Sequence, residues 1–314
     1  MKKKKRDFLG VYDFSHEEIY KIFETTEKLK KQVKRNRFKK YLKNKTLGMI
    51  FEKTSTRTRV SFEVGMSQLG GNALFLSKND IQLNKGETIY DTAKVLSRFV
   101  DAIMIRTFAH ENVVNLAQAA DVPVINGLSD LLHPCQAMAD FFTVFENKPE
   151  LKRNPDSMKL TFIGDGNNVA NSLFLLSAII GNTFCIANPK GYGIPKQILE
   201  MGEDLAKKSG AKFIFEENPI KAAKDADVLY TDVWVSMGQE KEKEEKVAIF
   251  KDYQINEDTL KEAKTDSIVL HCLPANRGME ITDEVMDGPH SRVFDEAENR
   301  MHVQKAILLK LLKK

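Results

Sequence analysis

Residues 47–71 read LGMIFEKTSTRTRVSFEVGMSQLGG. The apolar run Leu47 to Phe51 has the length of a buried strand. Val60 to Leu69 has the spacing of an amphipathic helix that stops at Gly70-Gly71. Ser55, Thr56, Arg57, Thr58 and Arg59 therefore fall on the turn from strand to helix. That turn combines hydroxyls, two guanidiniums and the free N–H groups of a helix start. Such a set suits a phosphate, because the helix terminus supplies donors and partial positive charge while arginine supplies a bidentate fork. The spaced glycines and lysine of nucleotide cradles are missing, so the expected ligand is a small phosphorylated molecule. A capped helix with solvated arginines reads alike in isolation, and other segments must decide.

The chain has 314 residues, enough for about two domains with two cores. It is 42% hydrophobic and 29% charged, as a globular protein without low-complexity tracts is. A net charge of +4 suits small anionic substrates. It falls short of a nucleic-acid footprint, which needs basic residues gathered on one face. Met1 to Arg6 is basic but no apolar segment follows, so it reads as a frayed, solvated arm and not a secretory signal. The longest apolar stretch, Leu173 to Ile180, is too short to span a bilayer, and no membrane partner is expected. Cys135, Cys185 and Cys272 form no C-x-x-C pair, and their odd number argues against a disulfide framework. A reducing cytoplasm is the expected setting. The six histidines show no metal-like spacing, so neither a metal nor another cofactor is expected.

Ser15 with Glu18 reads as a capping box, and Phe14 with Ile19 as a hydrophobic staple. Strands and helices then alternate. Strand runs lie at 47–51, 73–76, 102–106 and 122–125, with helical patterns at Glu87 to Phe99, Glu111 to Ala119 and about 134–147. The polar stretch Asn147 to Ser157, with Pro149 and Pro155, reads as a linker. Further strands are expected near 159–163, 183–187, 212–215, 227–231, 267–271 and 291–294, before a final helix over 296–312. The fold class is α/β: two domains, each a parallel sheet flanked by helices, over 1–148 and 149–314, with the last helix packing back on the first domain. In such sheets ligands bind beyond the carboxyl ends of the strands. Ser55, Arg106, His133, Asn168, Asp232 and Cys272 all fall there, so the site is expected in the cleft between the domains.

Two further segments make the reading specific. His133-Pro134-Cys135-Gln136 precedes a helix, and His271-Cys272-Leu273-Pro274 ends a strand. With the Ser55 to Arg59 stretch, in this order and at these intervals, they resemble the carbamoyltransferase family over nearly the whole chain. The run from Asp232 to Ser236-Met237-Gly238 is similar to the ornithine branch of that family. The resemblance implies transfer of a carbamoyl group from carbamoyl phosphate to the side-chain amine of ornithine, giving citrulline and phosphate. It implies a carbamoyl phosphate site of Ser55, Thr56, Arg57, Thr58, Arg106, His133, Gln136, Cys272, Leu273 and Arg300. Gln82 is implied to reach the phosphate from a neighbouring subunit of a homotrimer. Ornithine would meet Asn168, Asp232, Ser236 and Met237. Arg106, His133, Cys272 and Asp232 carry the implied catalytic roles. Thr58, Arg106 and His133 would polarise the carbonyl, and Gln136 would receive the carbamoyl amide. Asn276 departs from relatives, which commonly have histidine there.

Gly164-Asp165-Gly166-Asn167-Asn168-Val169 follows a strand and opens a helix, and so invites a dinucleotide reading. Val169 stands at the third glycine position, and Asn188, not an acid, follows the next strand, so that reading fails. Asn167 and Asn168 are barely separable as ligands. The charge run Glu240 to Lys246 reads as solvated. Sister transferases of putrescine, acetylornithine or aspartate are the close rivals, against which Ser236-Met237-Gly238 argues. A non-catalytic phosphate-sensing module is the rival of a different class.

Overall fold

Strand β1, Thr46–Phe51, is buried along five of its six residues, as a run of that composition must be. The computed structural model describes residues 5–82, 86–235 and 243–313. The chain divides into two compact units, residues 1–138 with 298–314, and residues 139–297.

In the first unit helix α1 (His16–Lys34) precedes β1. Then come α2 (Thr56–Gln68), β2 (Asn72–Ser77), α3 (Ile89–Phe99), β3 (Ala102–Arg106), α4 (His110–Ala119), β4 (Val124–Leu128) and the first turn of α5 (Pro134–Asn147). The strands are parallel in the order β2-β1-β3-β4. Ile50, Ile103, Ile105, Val113, Leu116 and Val124 form a core on this sheet. The capping box is formed: Glu18 N–H donates to Ser15 Oγ at 3.3 Å, and Ser15 N–H to Glu18 Oε2 at 3.1 Å. Phe14 and Ile19 beside it are buried. Ser15→Ala should lower stability by about 1 kcal/mol, read from chemical denaturation, because the first-turn donors lose their acceptor.

The second unit continues from α5 through α6 (Pro149–Arg153), β5 (Lys159–Ile163), α7 (Asn168–Ile180), β6 (Thr183–Ala187), α8 (Lys196–Ser209) and β7 (Lys212–Glu216). It goes on with α9 (Pro219–Ala223), β8 (Val228–Thr231), α10 (Lys243–Phe250), α11 (Glu257–Glu262), β9 (Ile268–His271), α12 (Asp283–Met286) and the start of α13 (Val293–Leu312). The sheet is parallel, in the order β7-β6-β5-β8-β9. From Glu298 onward α13 belongs to the first unit. Two units, each a parallel sheet with helices, are what the strand–helix alternation implies. No helix among the described residues is long and apolar enough to cross a membrane.

Three expectations are corrected. Residues 291–294 are not a strand: Ser291 makes one isolated bridge to Val269, and α13 begins at Val293. The apolar pair Val293-Phe294 imitates a strand, but the acids Asp295 and Glu296 in the first turn favour a helix start. The stretch 147–157 is not a bare linker. Pro149 and Pro155 open α6 and a 3₁₀ turn, where a missing N–H costs nothing, and buried Lys148 pairs with Asp266 at 2.7 Å. Nor is the basic start all frayed. Lys5 pairs with Asp7 at 3.0 Å, and Arg6 pairs with Glu18 at 2.5 Å. Next, Phe8 bonds Val124 and Asn126 at 2.8 Å each, adding a bridge beside β4.

Candidate active site

Register places the first cluster. Phe51 pairs with Arg106 across β1 and β3, so Arg106 sits beside the turn that leads from β1 into α2. Ser55 is the N-cap of α2 and accepts Thr58 N–H at 3.2 Å. Its hydroxyl donates to Thr58 Oγ1 at 3.1 Å. Arg300, on the part of α13 that belongs to this unit, donates to the same Thr58 oxygen at 2.9 Å, and Arg106 Nη1 approaches it at 3.5 Å. Thr58 is fully buried, Arg106 and Arg300 nearly so. Arg300 makes no ion pair with a carboxylate among the described residues, and its Nε is buried without a partner. A buried cation of that kind needs an anion.

His133 ends the segment before α5 and is buried. Burial first, then Arg300, Arg106 and Arg57, hold its imidazole well below its ordinary pKa, so it is neutral. Its carbonyl accepts Gln136 N–H at 3.1 Å, which fixes the fully buried Gln136 one turn on. Thus Ser55, Thr58, Arg57, Arg106, His133 and Arg300 come together. Thr56 is exposed at the start of α2, and Gln82 is exposed. Arg59 does not join the cluster: it pairs with Glu63 at 3.0 Å and lies over the Phe75 ring at 3.9 Å. At 100° per residue, two helix positions apart cannot share a face, so only one of the paired arginines can turn inward.

The second cluster lies in the other unit, and register again builds it. Thr231 pairs with His271 across β8 and β9, which makes Asp232 and Cys272 the next residues at adjacent strand ends. Cys272 Sγ donates to Asp232 Oδ1 at 3.0 Å, and Asn167 Nδ2 donates to Asp232 Oδ2 at 2.8 Å. Asn167 also caps α7, accepting Val169 and Ala170 N–H at 2.9 and 3.1 Å. Asn168 is the first residue of that helix. A Cβ on Gly166 would stand 2.4 Å from the Gly193 backbone, so this glycine admits a neighbouring chain segment and not a pyrophosphate. Ser236 and Met237 lie outside the described residues.

Burial, and then the Asp232 charge, push the Cys272 thiol well above its ordinary pKa. It is a neutral donor, which opposes a thiolate role for it in catalysis. Alkylation of Cys272 by iodoacetamide at about pH 8 should be slower than that of a free thiol, whose pKa is about 8.5; faster alkylation would contradict this protonation state.

His271, to which the sequence reading gave no role of its own, and Glu280, which it passed over, shape this cluster. His271 Nδ1 accepts Leu273 N–H at 2.9 Å, and its Nε2 lies 3.1 Å from Glu280 Oε1, which also accepts Asn276 N–H at 2.6 Å. His271 thereby holds Leu273 at φ +57°, a left-handed conformation that costs about 1–2 kcal/mol for a non-glycine residue. The same histidine has its ligand atoms within 4.8 Å of those of Asp232 and Cys272, a grouping that linear spacing could not show. Both its nitrogens are engaged, so coordination there would break the bond to Leu273 or to Glu280. Lys246 corrects the reading of its charge run: it is buried and pairs with Asp165 at 2.6 Å.

Comparison with known proteins gives the class. Residues 6–146 match the aspartate/ornithine carbamoyltransferase carbamoyl-P binding domain, and residues 156–311 match the Asp/Orn binding domain of the same family. The chain belongs to the aspartate/ornithine carbamoyltransferase family. Within it, an ornithine carbamoyltransferase of Caldicellulosiruptor saccharolyticus is 54% identical over 97% of each chain. The solved structure of ornithine carbamoyltransferase from Pyrococcus furiosus is 51% identical, with a TM-score of 0.93 over 98% of this chain and 97% of the other. That of the anabolic ornithine carbamoyltransferase from Campylobacter jejuni is 45% identical, with a TM-score of 0.91 over 98% of each.

Proposed function

We propose that this chain transfers the carbamoyl group of carbamoyl phosphate to the side-chain amine of L-ornithine, giving L-citrulline and phosphate in the biosynthetic direction of arginine metabolism. The observation that carries the proposal is the meeting of Arg106 and Arg300 on the Thr58 hydroxyl at the N-terminus of α2. Arg57, Arg106 and the Ser55 to Thr58 turn bind the phosphate, with Arg300 behind Thr58. The neutral amine nitrogen attacks the carbonyl carbon, charge gathers on the carbonyl oxygen, and the carbon–oxygen bond to phosphate then breaks, the departing phosphate carrying away the proton that the attacking nitrogen loses. Thr58, Arg106 and neutral His133 stabilise that oxyanion by hydrogen bonding, and Gln136 orients the carbamoyl amide. Asp232 and Asn168 hold the amino-acid end of ornithine, with Ser236 and Met237 as its wall. The Cys272–Leu273 backbone, kept in shape by His271, meets the carbamoyl nitrogen. No step is routed through a metal. The three free cysteines suit a cytoplasmic setting.

A citrulline assay in chelator, with carbamoyl phosphate and a panel of amines, tests the proposal. Ornithine should be the productive acceptor. Activity only with aspartate or putrescine, or activity lost to the chelator, would sink it.

The assembly is a closed ring of three, in which Gln82 completes a neighbour's phosphate site. Gln82 is exposed, and so are the apolar Val60, Val64 and Leu74 on α2 and the edge strand β2, as a surface that meets a second copy should be. Mixing inactive Gln82→Ala chains with inactive Arg57→Ala chains should restore activity, because some mixed rings regain one intact site. Subunit exchange without recovery would place Gln82 in no shared site.

A further inference from the structure

The two sheets end in the edge strands β2, β4, β7 and β9. The chain itself covers two of them: Phe8 bridges Ile125 beside β4, and Ser291 bridges Val269 beside β9. The β2 edge belongs to the surface assigned above to the ring. On the outer side of β7 no bridge forms among the described residues. That strand reads Lys212-Phe213-Ile214-Phe215-Glu216. It has no proline, no bulge and no central charge, the usual guards of an exposed edge. Ile214 is 42% exposed and Phe215 57%, while Phe213 anchors the strand on the Phe174 ring at 4.3 Å between centroids. Glu216 Oε1 accepts the N–H groups of Glu217 and Asn218 at 3.0 and 3.2 Å, and neither Glu216 nor Lys212 forms an ion pair among the described residues. The ladder fixes which backbone groups face out. Lys212 N–H donates to the Asn182 carbonyl and the Glu216 carbonyl accepts Asn188 N–H, each at 3.3 Å on the β6 side. Alternate residues of a parallel strand bond to opposite sides, so Phe213 and Phe215 turn their N–H and C=O groups outward.

We propose that β7 pairs with β7 of a second copy of this chain, antiparallel about a two-fold axis at Ile214, so that two five-stranded sheets become one continuous sheet. The strand is self-complementary under that axis, basic to acidic and aromatic to aromatic. Phe213 of one copy and Phe215 of the other exchange both backbone hydrogen bonds, on each side of the axis. Ile214 meets its own copy, and the Phe215 ring meets Phe213 of the second copy. Lys212 meets Glu216 of the second copy, and the axis repeats that pair. A slip of two residues, the smallest that keeps the outward groups opposed, would set a charge against Ile214, so one register wins. The contact is isologous, and it uses no residue of the catalytic clusters or of the proposed ring, so it stands apart from both.

Sedimentation velocity of the full-length protein over a range of concentrations tests the contact. The wild-type particle should hold at least twice as many chains as that of Ile214→Lys, which sets two ammonium groups against each other on the axis. Lys212→Glu and Glu216→Lys should each weaken the association by about tenfold, because both cross-strand charge pairs turn repulsive. Mixed in equal amounts, these two variants should regain the wild-type particle, since each altered strand then meets its charge complement. A variant that had merely misfolded would gain nothing from mixing. Equal particle mass for wild type and Ile214→Lys, or no recovery when the two charge variants are mixed, would overturn the proposal.

Discussion

Arg106→Ala is expected to lower kcat/KM for carbamoyl phosphate by two to three orders of magnitude, a loss on the order of 3 kcal/mol. The side chain is 7% exposed, ends a buried strand, and shares Thr58 with Arg300, so water cannot substitute for its guanidinium. Arg106→Lys should recover little, because an ammonium cannot make two parallel bonds to a phosphate or reach phosphate and carbonyl oxygen together. Arg57→Ala should cost a similar amount. His133→Ala should lower turnover more than carbamoyl phosphate binding, since a neutral imidazole contributes most where oxyanion charge develops. Steady-state kinetics on folded variants decide. Near wild-type kcat/KM in all of them would put the phosphate site in the wrong place.

Asp232→Asn is expected to weaken ornithine by about ten- to a hundredfold, the range for losing a hydrogen bond to a charged group. Its two oxygens accept from different donors, Cys272 Sγ and Asn167 Nδ2. An asparagine has one acceptor and one donor end, so it must set its own N–H₂ against one of them. The variant also removes the charge proposed to pair with the ornithine ammonium. Carbamoyl phosphate binding should be almost intact. Isothermal titration with carbamoyl phosphate, and then with norvaline, which has no reactive side-chain amine, separates the two effects. Equal losses for both ligands would contradict the division of labour between the clusters.

How much of this was legible in the sequence depends on whether a signal is local. β1, β3, β5 and β6 are short apolar runs bounded by turn residues, and their residue types alone define them. The Ser55 N-cap and the Ser15 capping box are legible because a cap is a three-residue interaction. Arg59 was misplaced because the strand-to-helix turn gave no helical phase until α2 was seen to begin at Thr56. Asn167 and Asn168 differ only in which one precedes the helix, a boundary that sequence reads to within a few residues. Lys246 and the His271–Glu280 pair were missed for a further reason. Their partners are distant in the chain or hidden within a loop, and a buried charge resembles a solvated one until its counter-charge is placed. The missing strand at 291–294 marks the reverse error, an apolar pair read locally when the acids after it begin a helix.

The most direct measurement is a crystal structure of the enzyme with phosphonoacetamide, a stable mimic of carbamoyl phosphate, and norvaline. The phosphonate should lie at the N-terminus of α2 within hydrogen-bond reach of Arg57 and Arg106, with its amide carbonyl toward His133. The norvaline ammonium should lie on Asp232. A phosphonate seated on the Gly164 to Asn168 turn, or a norvaline ammonium away from Asp232, would contradict the assignment of the two clusters.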